Sequence, residues 1–129
     1  MAPNNQGLDD VRATLSMLRD LHRWELDNIP ILRTMTGRDV YLTLASSLDD
    51  ESGGVSLKAL KNNNYYTDKA IANRLEMLQK MQMIKKSKTA TDGRVKIIMP
   101  DDQLHDYCEK HSMAFFQIVN KYFTLIKNK

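Results

Sequence analysis

The residues with the most binding chemistry in this 129-residue chain lie in its central third. Between Leu57 and Lys96 there are ten basic and three acidic residues, a net charge of +7, whereas residues Met1 to Ser56 have a net charge of −4. Basic side chains gathered in one segment favour binding to a polyanion, because binding releases condensed counterions. The charge distribution therefore predicts a surface for an acidic polymer in the middle of the chain.

One predicted helix in this segment presents polar side chains that suit base recognition. Lys69, Asn73 and Lys80 fall opposite its apolar stripe, and Arg74 falls at the boundary, where its stem can pack while its head reaches a phosphate. A helix fits the major groove of DNA, where asparagine pairs with adenine and lysine or arginine with guanine. Charged residues are more commonly solvated surface, so for any single lysine both interpretations stay open.

A second group with ligand chemistry lies near the C-terminus, at His105, Cys108 and His111. On a helix their spacing leaves the two histidines about 120° apart around the axis. A metal site made by one chain would be strained, and we expect no metal. Cys108 is a candidate redox sensor, with a plain buried thiol as the alternative. As the single cysteine it cannot close an intrachain disulfide, which suits a reducing cytoplasm.

Motifs for catalysis are missing from the sequence. It has no glycine-rich phosphate loop, no serine or cysteine nucleophile motif, and no paired acidic residues outside runs such as Asp49 to Glu51. We therefore expect neither an enzyme nor a bound cofactor.

Amphipathic helices are the elements that must position these residues. The first is predicted from an apolar stripe at three- and four-residue spacing, formed by Leu8, Val11, Leu15, Leu18 and Leu21. It should end before Asn28 and Pro30. A second helix is predicted to begin with Thr36 as its N-cap. Val55 is predicted to be a single extended residue or a short strand, and a short helix should then begin with Ser56 as its N-cap.

The basic segment is predicted to hold a capped helix followed by a hairpin. Thr67 caps a helix whose inward residues are Ile71, Leu75, Leu78 and Met81. Two β-compatible segments, 83–88 and 94–99, then flank an Asp-Gly turn. A long last helix should begin at Asp101 and Asp102. Its narrow apolar stripe should be covered by partner helices, either the first helix of this chain or helices of a second copy. The stripe consists of Leu104, Cys108, His111, Phe115, Ile118, Tyr122 and Leu125.

The composition, 42% hydrophobic and 27% charged, is typical of one soluble globular domain. The first seven residues lack the basic and apolar regions of an export signal, so we expect neither export nor membrane insertion. We predict a mainly α chain with a small β-hairpin wing (α+β), in which a helix-turn-helix precedes the wing.

The sequence from Leu75 to Met99 resembles the MarR family of winged-helix transcription regulators. In that family an apolar pair and a basic residue follow the recognition helix, matched by Met83, Ile84 and Lys85, and the wing carries an Asp-x-Arg signature, matched by Asp92 and Arg94. Gln82 departs from the family pattern, which has glycine there.

The resemblance implies a cytoplasmic homodimer that binds an inverted repeat in double-stranded DNA, with Arg94 in the minor groove and Asp92 holding the wing turn. It also implies N-terminal (1–34) and C-terminal (101–129) dimerisation segments around a DNA-binding core (35–100), and a pocket for a small-molecule effector. The alternative is a winged helix that binds a protein partner without reading DNA sequence.

Two sets of site residues follow. The predicted DNA-binding residues are Tyr66, Thr67, Lys69, Asn73, Arg74, Lys80, Lys86, Lys88, Asp92, Arg94 and Lys96. The predicted dimer interface consists of Leu8, Val11, Leu15, Leu18, Phe115, Ile118, Tyr122 and Leu125. Tyr66, with its neighbour Tyr65, is equally suited to cover the core.

Overall fold

The computed structural model describes residues 5–48, 54–62, 65–88 and 96–127, and these ranges contain five α-helices and three β-strands. The helices are α1 (Asn5–Asn28), α2 (Met35–Ala45), α3 (Leu57–Lys61), α4 (Asp68–Lys80) and α5 (Asp102–Lys127). The strands are β1 (Val55–Ser56), β2 (Ile84–Lys88) and β3 (Lys96–Pro100), and a 3-10 helix covers Pro30–Arg33. The predicted mainly helical α+β class is confirmed.

The chain divides into two compact units. One consists of Met1–Pro30 and Glu109–Lys129, and its described part is α1 with most of α5. The other, Ile31–Cys108, contains α2, α3, α4, the sheet and the start of α5. No described helix has the combination of length and apolar character that crossing a membrane requires.

The predicted hairpin is part of a three-stranded antiparallel sheet in the order β1-β3-β2. Val55 pairs with Ile98, so of the two predicted alternatives, an extended residue or a short strand, the short strand is confirmed, and β1 is the third strand of the sheet. In this unit one buried cluster joins the helices to the sheet: Tyr41, Leu44, Leu60, Ile71, Leu75, Leu78, Met83, Ile84, Ile98 and Leu104. Apolar burial of this kind is the main force holding α4 in place.

The predicted helix caps are confirmed at Ser56 and Thr67. The Ser56 and Thr67 hydroxyls each accept the backbone N–H three residues later, at 3.1 Å, which satisfies a donor that the helix leaves open. The predicted cap of α2 is wrong, because Thr34 rather than Thr36 begins this helix. Thr34 has an extended backbone, and its hydroxyl accepts the Gly37 N–H at 3.0 Å.

The backbone at the end of α4 has the conformation that accounts for glycine in the family pattern, although this chain has Gln82 there. Gln82 has a φ of 59°, in the left-handed region that favours glycine. Its N–H donates to the Gln79 carbonyl, and its own carbonyl accepts the N–H of Gln103. Met81, predicted to face inward from α4, instead caps the helix and is only half-buried. The turn thus joins the end of α4 to the start of α5 through backbone hydrogen bonds.

In the other unit, α1 and α5 are joined by polar contacts. His111 Nε2 lies 2.7 Å from Glu25 Oε2, with side chains 15% and 3% exposed. The Trp24 ring stacks on the His111 ring, with centroids 5.8 Å apart. The Tyr122 hydroxyl donates to the Asp20 carboxylate. These contacts fix the pairing of the two helices inside this unit.

Candidate nucleic-acid interface

The outer face of α4 carries one polar stripe. Lys69, Asn73, Glu76 and Lys80 are all exposed and follow a 4-3-4 spacing, which places them on one side of a helix. Ile71, Leu75 and Leu78 are buried on the other side. The packing of the apolar face therefore turns this stripe, as the sequence predicts, towards solvent.

Arg74 lies between the two faces, as its position in the sequence predicts. It is half-buried, and its guanidinium Nη1 is 4.0 Å from the sulfur of Met77, one turn further along α4. The packed stem leaves the charged head near the edge of the polar stripe.

Residues before α4 combine capping with an internal hydrogen bond. The Thr67 hydroxyl accepts the Ala70 N–H and so serves as the cap, while its own proton can still be donated. Tyr66 is half-buried and donates its hydroxyl to Asp39; desolvation, followed by the Asp39 charge, raises the pKa of Tyr66 above its ordinary value. A phosphate contact by Tyr66 would compete with this bond. The exposed Tyr65 ring lies 6.2 Å from the ring of Tyr66.

Asp39 is a residue that the sequence analysis missed. It is on α2, far from Tyr66 in the chain, and no local spacing indicates the contact. With Tyr65, Tyr66 and Thr43 it lines a cavity of about 170 Å³ next to the start of α4.

The wing is described only in its strands. Lys85 and Lys86 are exposed on β2. Lys88 and Lys96 pair across the ends of β2 and β3. Asp92 and Arg94 lie outside the described residues, and their predicted roles rest on the sequence resemblance.

The predicted dimer residues fall into exposed and covered sets. Leu8, Val11, Leu15 and Leu18 on α1 are 38–60% exposed, and Phe115 on α5 is 41% exposed. Ile118 is half-buried, and Tyr122 is buried with its hydroxyl bonded to Asp20. Leu125 lies within α5, but its side chain is outside the described residues.

The predicted sensor residue has a shielded thiol. Burial raises the pKa of Cys108, and a hydrogen bond with Tyr41 only partly opposes the shift. Little thiolate forms at neutral pH, which disfavours thiol reactivity. Three residues further along α5, one nitrogen of His111 is already occupied by Glu25.

Solved structures of transcriptional regulators share this fold. A regulator from Thermotoga maritima gives a TM-score of 0.65 at 14% identity, covering 88% of this chain and 75% of its own. A point mutant of MepR from S. aureus, bound to an oligodeoxyribonucleotide, gives 0.64 at 17% identity, covering 90% and 77%. Sco3205, a MarR family regulator from Streptomyces coelicolor in complex with DNA, gives 0.57 at 14% identity, covering 87% and 70%.

These likenesses concern three-dimensional structure. No protein-family model matches the sequence, and no curated protein sequence matches it significantly. Together with the caps, the three-stranded sheet and the polar face of α4, the solved structures confirm the resemblance predicted from residues 75–99 at the level of fold. The chain has the winged-helix fold of MarR-type transcriptional regulators.

Proposed function

We propose that this chain is a transcriptional regulator that binds an inverted-repeat operator in double-stranded DNA as a homodimer. The observation that carries the proposal is the exposed polar stripe of α4 in a winged helix-turn-helix, opposite a fully buried apolar face. MepR and Sco3205, which have this fold, were solved with DNA bound. Residues 35–100 are the proposed DNA-binding core, and 1–34 with 101–129 are the proposed dimerisation segments.

In this proposal α4 enters the major groove and the wing approaches the neighbouring minor groove. Asn73 has the amide chemistry that pairs bidentately with adenine. Lys69, in the first turn of α4, and Lys86, on β2, are exposed cations suited to phosphate contacts. Arg94 is the proposed minor-groove residue, by resemblance to the family.

The proposed dimer is supported by the exposed apolar stripe of α1. Leu8, Val11, Leu15 and Leu18 recur at 3-4-3 spacing and expose 38–60% of their surface. A contiguous apolar stripe of this kind on a helix is typical of helix–helix interfaces. In the proposed complex a second copy of the chain covers this stripe. The two copies of α4 enter successive turns of the major groove, which are about 34 Å apart.

The electrostatic part is tested by the salt dependence of binding. Affinity for a fluorescently labelled duplex is measured by anisotropy across a salt series, for the natural chain, Lys69→Ala and the control Lys110→Ala on the exposed face of α5. We expect log K against log salt to become shallower by about 0.9 per lost phosphate contact, or about 1.8 for a dimer. The control should leave the slope unchanged. A slope near zero for the natural chain, or equal effects of the two variants, contradicts the proposal.

The dimer is tested separately by sedimentation equilibrium. Leu15→Glu puts a charge into the exposed stripe and should shift the chain towards the monomer. Leu42→Glu is the matched control, because Leu42 is 43% exposed on α2, outside the predicted interface. A natural chain that sediments as a monomer would contradict the proposed homodimer. A Leu15→Glu variant that stays dimeric would contradict the proposed interface on α1.

The second candidate function is a protein-binding winged helix. The observation favouring it is the exposure of Met113, Phe116 and Phe123 on α5, apolar residues outside the predicted dimer set. In that case Lys69→Ala would leave binding of the protein partner intact, while Phe116→Ala would abolish it. A small-molecule effector remains a prediction from the family resemblance.

A further inference from the structure

Glu76 is the one acidic residue in the polar stripe of α4, and it lies between two candidate DNA contacts. Asn73 precedes it by three residues and Lys80 follows it by four, so all three point the same way. With Met77 and Met81 they line one shallow groove on the exposed side of the helix. The Glu76 carboxylate therefore lies on the surface of α4 that faces the DNA bases in the proposed complex.

The local contacts of Glu76 contribute little to the stability of α4. Its Oε1 is 3.5 Å from Lys80 Nζ, and the two side chains are 65% and 76% exposed. Ion pairs this exposed contribute little to stability, because water already solvates both charges and salt screens them. Helix stability alone does not explain an acidic side chain at this place.

On a surface that faces DNA, a carboxylate is repelled by two rows of phosphates. It gains only where a base offers a hydrogen-bond donor, since an ionised carboxylate is purely an acceptor. In the major groove guanine presents N7 and O6 and thymine presents O4, all acceptors, whereas cytosine presents its N4 amino group. Adenine presents a donor beside an acceptor, which suits an amide better.

We propose that Glu76 is a specificity-determining residue that selects cytosine in the operator half-site. The proposal rests on the proposed DNA-binding function and adds the base chemistry of one position. Lys80 offsets part of the negative charge, which lowers the repulsion from phosphate without removing the acceptor. Glu76 thus acts mainly by rejecting guanine and thymine at its position.

The spacing on α4 also relates this cytosine to a second base. Three residues of helix rise by about 4.5 Å, close to the spacing of about 3.4 Å between successive base pairs along a strand. Asn73 and Glu76 are therefore close enough along α4 to contact neighbouring base pairs. The half-site should contain an adenine, paired with Asn73, beside the cytosine paired with Glu76.

The test compares sites selected from a random DNA pool by the full chain, Glu76→Gln, Glu76→Ala and the matched control Glu109→Gln. Glu109 is exposed on α5, outside the proposed DNA surface. Glutamine keeps the size of the side chain but replaces one acceptor by a donor, and its bidentate partner is adenine. Circular dichroism and thermal unfolding show that each variant is folded.

We expect Glu76→Gln to change one cytosine of each half-site to adenine, and Glu76→Ala to accept any base there. On duplexes that differ only at that base pair, the natural chain should prefer cytosine by about fivefold or more, the low end for a good base contact. Glu109→Gln should select the natural motif.

Two results overturn the inference, and they differ in what else they overturn. If the natural chain selects a motif and Glu76→Gln selects the same one, Glu76 does not read a base, while the proposed function stands. If the folded natural chain selects no motif, the proposed function fails and the inference fails with it.

Discussion

Removing the imidazole of His111 should destabilise the unit formed by α1 and α5. His111 Nε2 is 2.7 Å from Glu25 Oε2, and the Glu25 side chain is only 3% exposed. In His111→Ala this carboxylate loses a hydrogen-bond partner in a place where water has little access. The Trp24 ring, stacked on His111 with an interplanar angle of 18°, loses its neighbour as well.

The magnitude follows from burial. Removing a hydrogen-bond partner from a buried carboxylate costs roughly 1–3 kcal/mol. Because the His111 side chain is 15% exposed, water can partly replace it, and we expect about 2 kcal/mol from this loss. The lost ring stacking adds about 0.5–1.5 kcal/mol. We therefore expect His111→Ala to lower the free energy of unfolding by about 3 kcal/mol.

The assay is urea denaturation followed by circular dichroism, at one protein concentration and pH 7. His22→Ala is the control, because His22 is exposed on α1, and it should change the free energy by less than about 0.5 kcal/mol. A double-mutant cycle with Glu25→Ala isolates the pair. A loss below about 1 kcal/mol for His111→Ala, or an equal loss for His22→Ala, would refute the reasoning.

Three further predictions concern stability. Tyr122→Phe should lower Tm at pH 7, because it removes the hydrogen bond to the Asp20 carboxylate. This bond lowers the pKa of Asp20 below its ordinary 3.8. The difference in Tm between the variant and the natural chain should therefore disappear as the pH falls from about 3.8 through the lowered pKa. Gln82→Gly should raise the free energy of unfolding by about 0.5–1 kcal/mol. Glycine removes the cost of a left-handed φ, about 1–2 kcal/mol, and this gain exceeds the entropic cost of ordering glycine, about 0.4–1 kcal/mol. A lower Tm would contradict this prediction. Gly37→Ala should cost about 2 kcal/mol or more in denaturant titration, because a β-carbon would overlap the carbonyl oxygen of residue 31 and lie 2.9 Å from the Oγ1 of residue 34. Gly7→Ala, with open space around it, should not destabilise the chain, and equal losses at the two glycines would refute the packing argument.

Helix α4 was predictable from local sequence. The helical period of α4 is set by Ile71, Leu75 and Leu78. The N-cap of α4 is Thr67, which accepts the N–H of Ala70, three residues later. Both the polar stripe and the start of this helix therefore follow from residues that are close in sequence. The same holds for β2 and β3, which alternation and an Asp-Gly pair between them predict from the sequence.

Features that depend on distant residues were not predictable. Thr34 and Thr36 are equally good cap residues, and the choice is made by tertiary packing that brings Gly37 close to the Ile31 carbonyl. The pairing of Val55 with Ile98 joins residues that no local pattern connects.

The polar pairs behave in the same way. Glu25 and His111 are 86 positions apart, and the bond of Tyr66 to Asp39 joins α2 to the start of α4. Helical periodicity shows which face a residue occupies but not which distant group meets it.

The most direct test of the central claim is selection of bound duplexes from a random pool at moderate salt, with the natural chain beside Arg94→Ala. A dimeric reader of DNA predicts an inverted repeat whose half-site centres are about one helical turn, or 34 Å, apart. Arg94→Ala removes the proposed minor-groove contact, and this variant should no longer select the inverted repeat. Recovery of no motif by the folded natural chain would contradict the claim that this winged helix reads DNA.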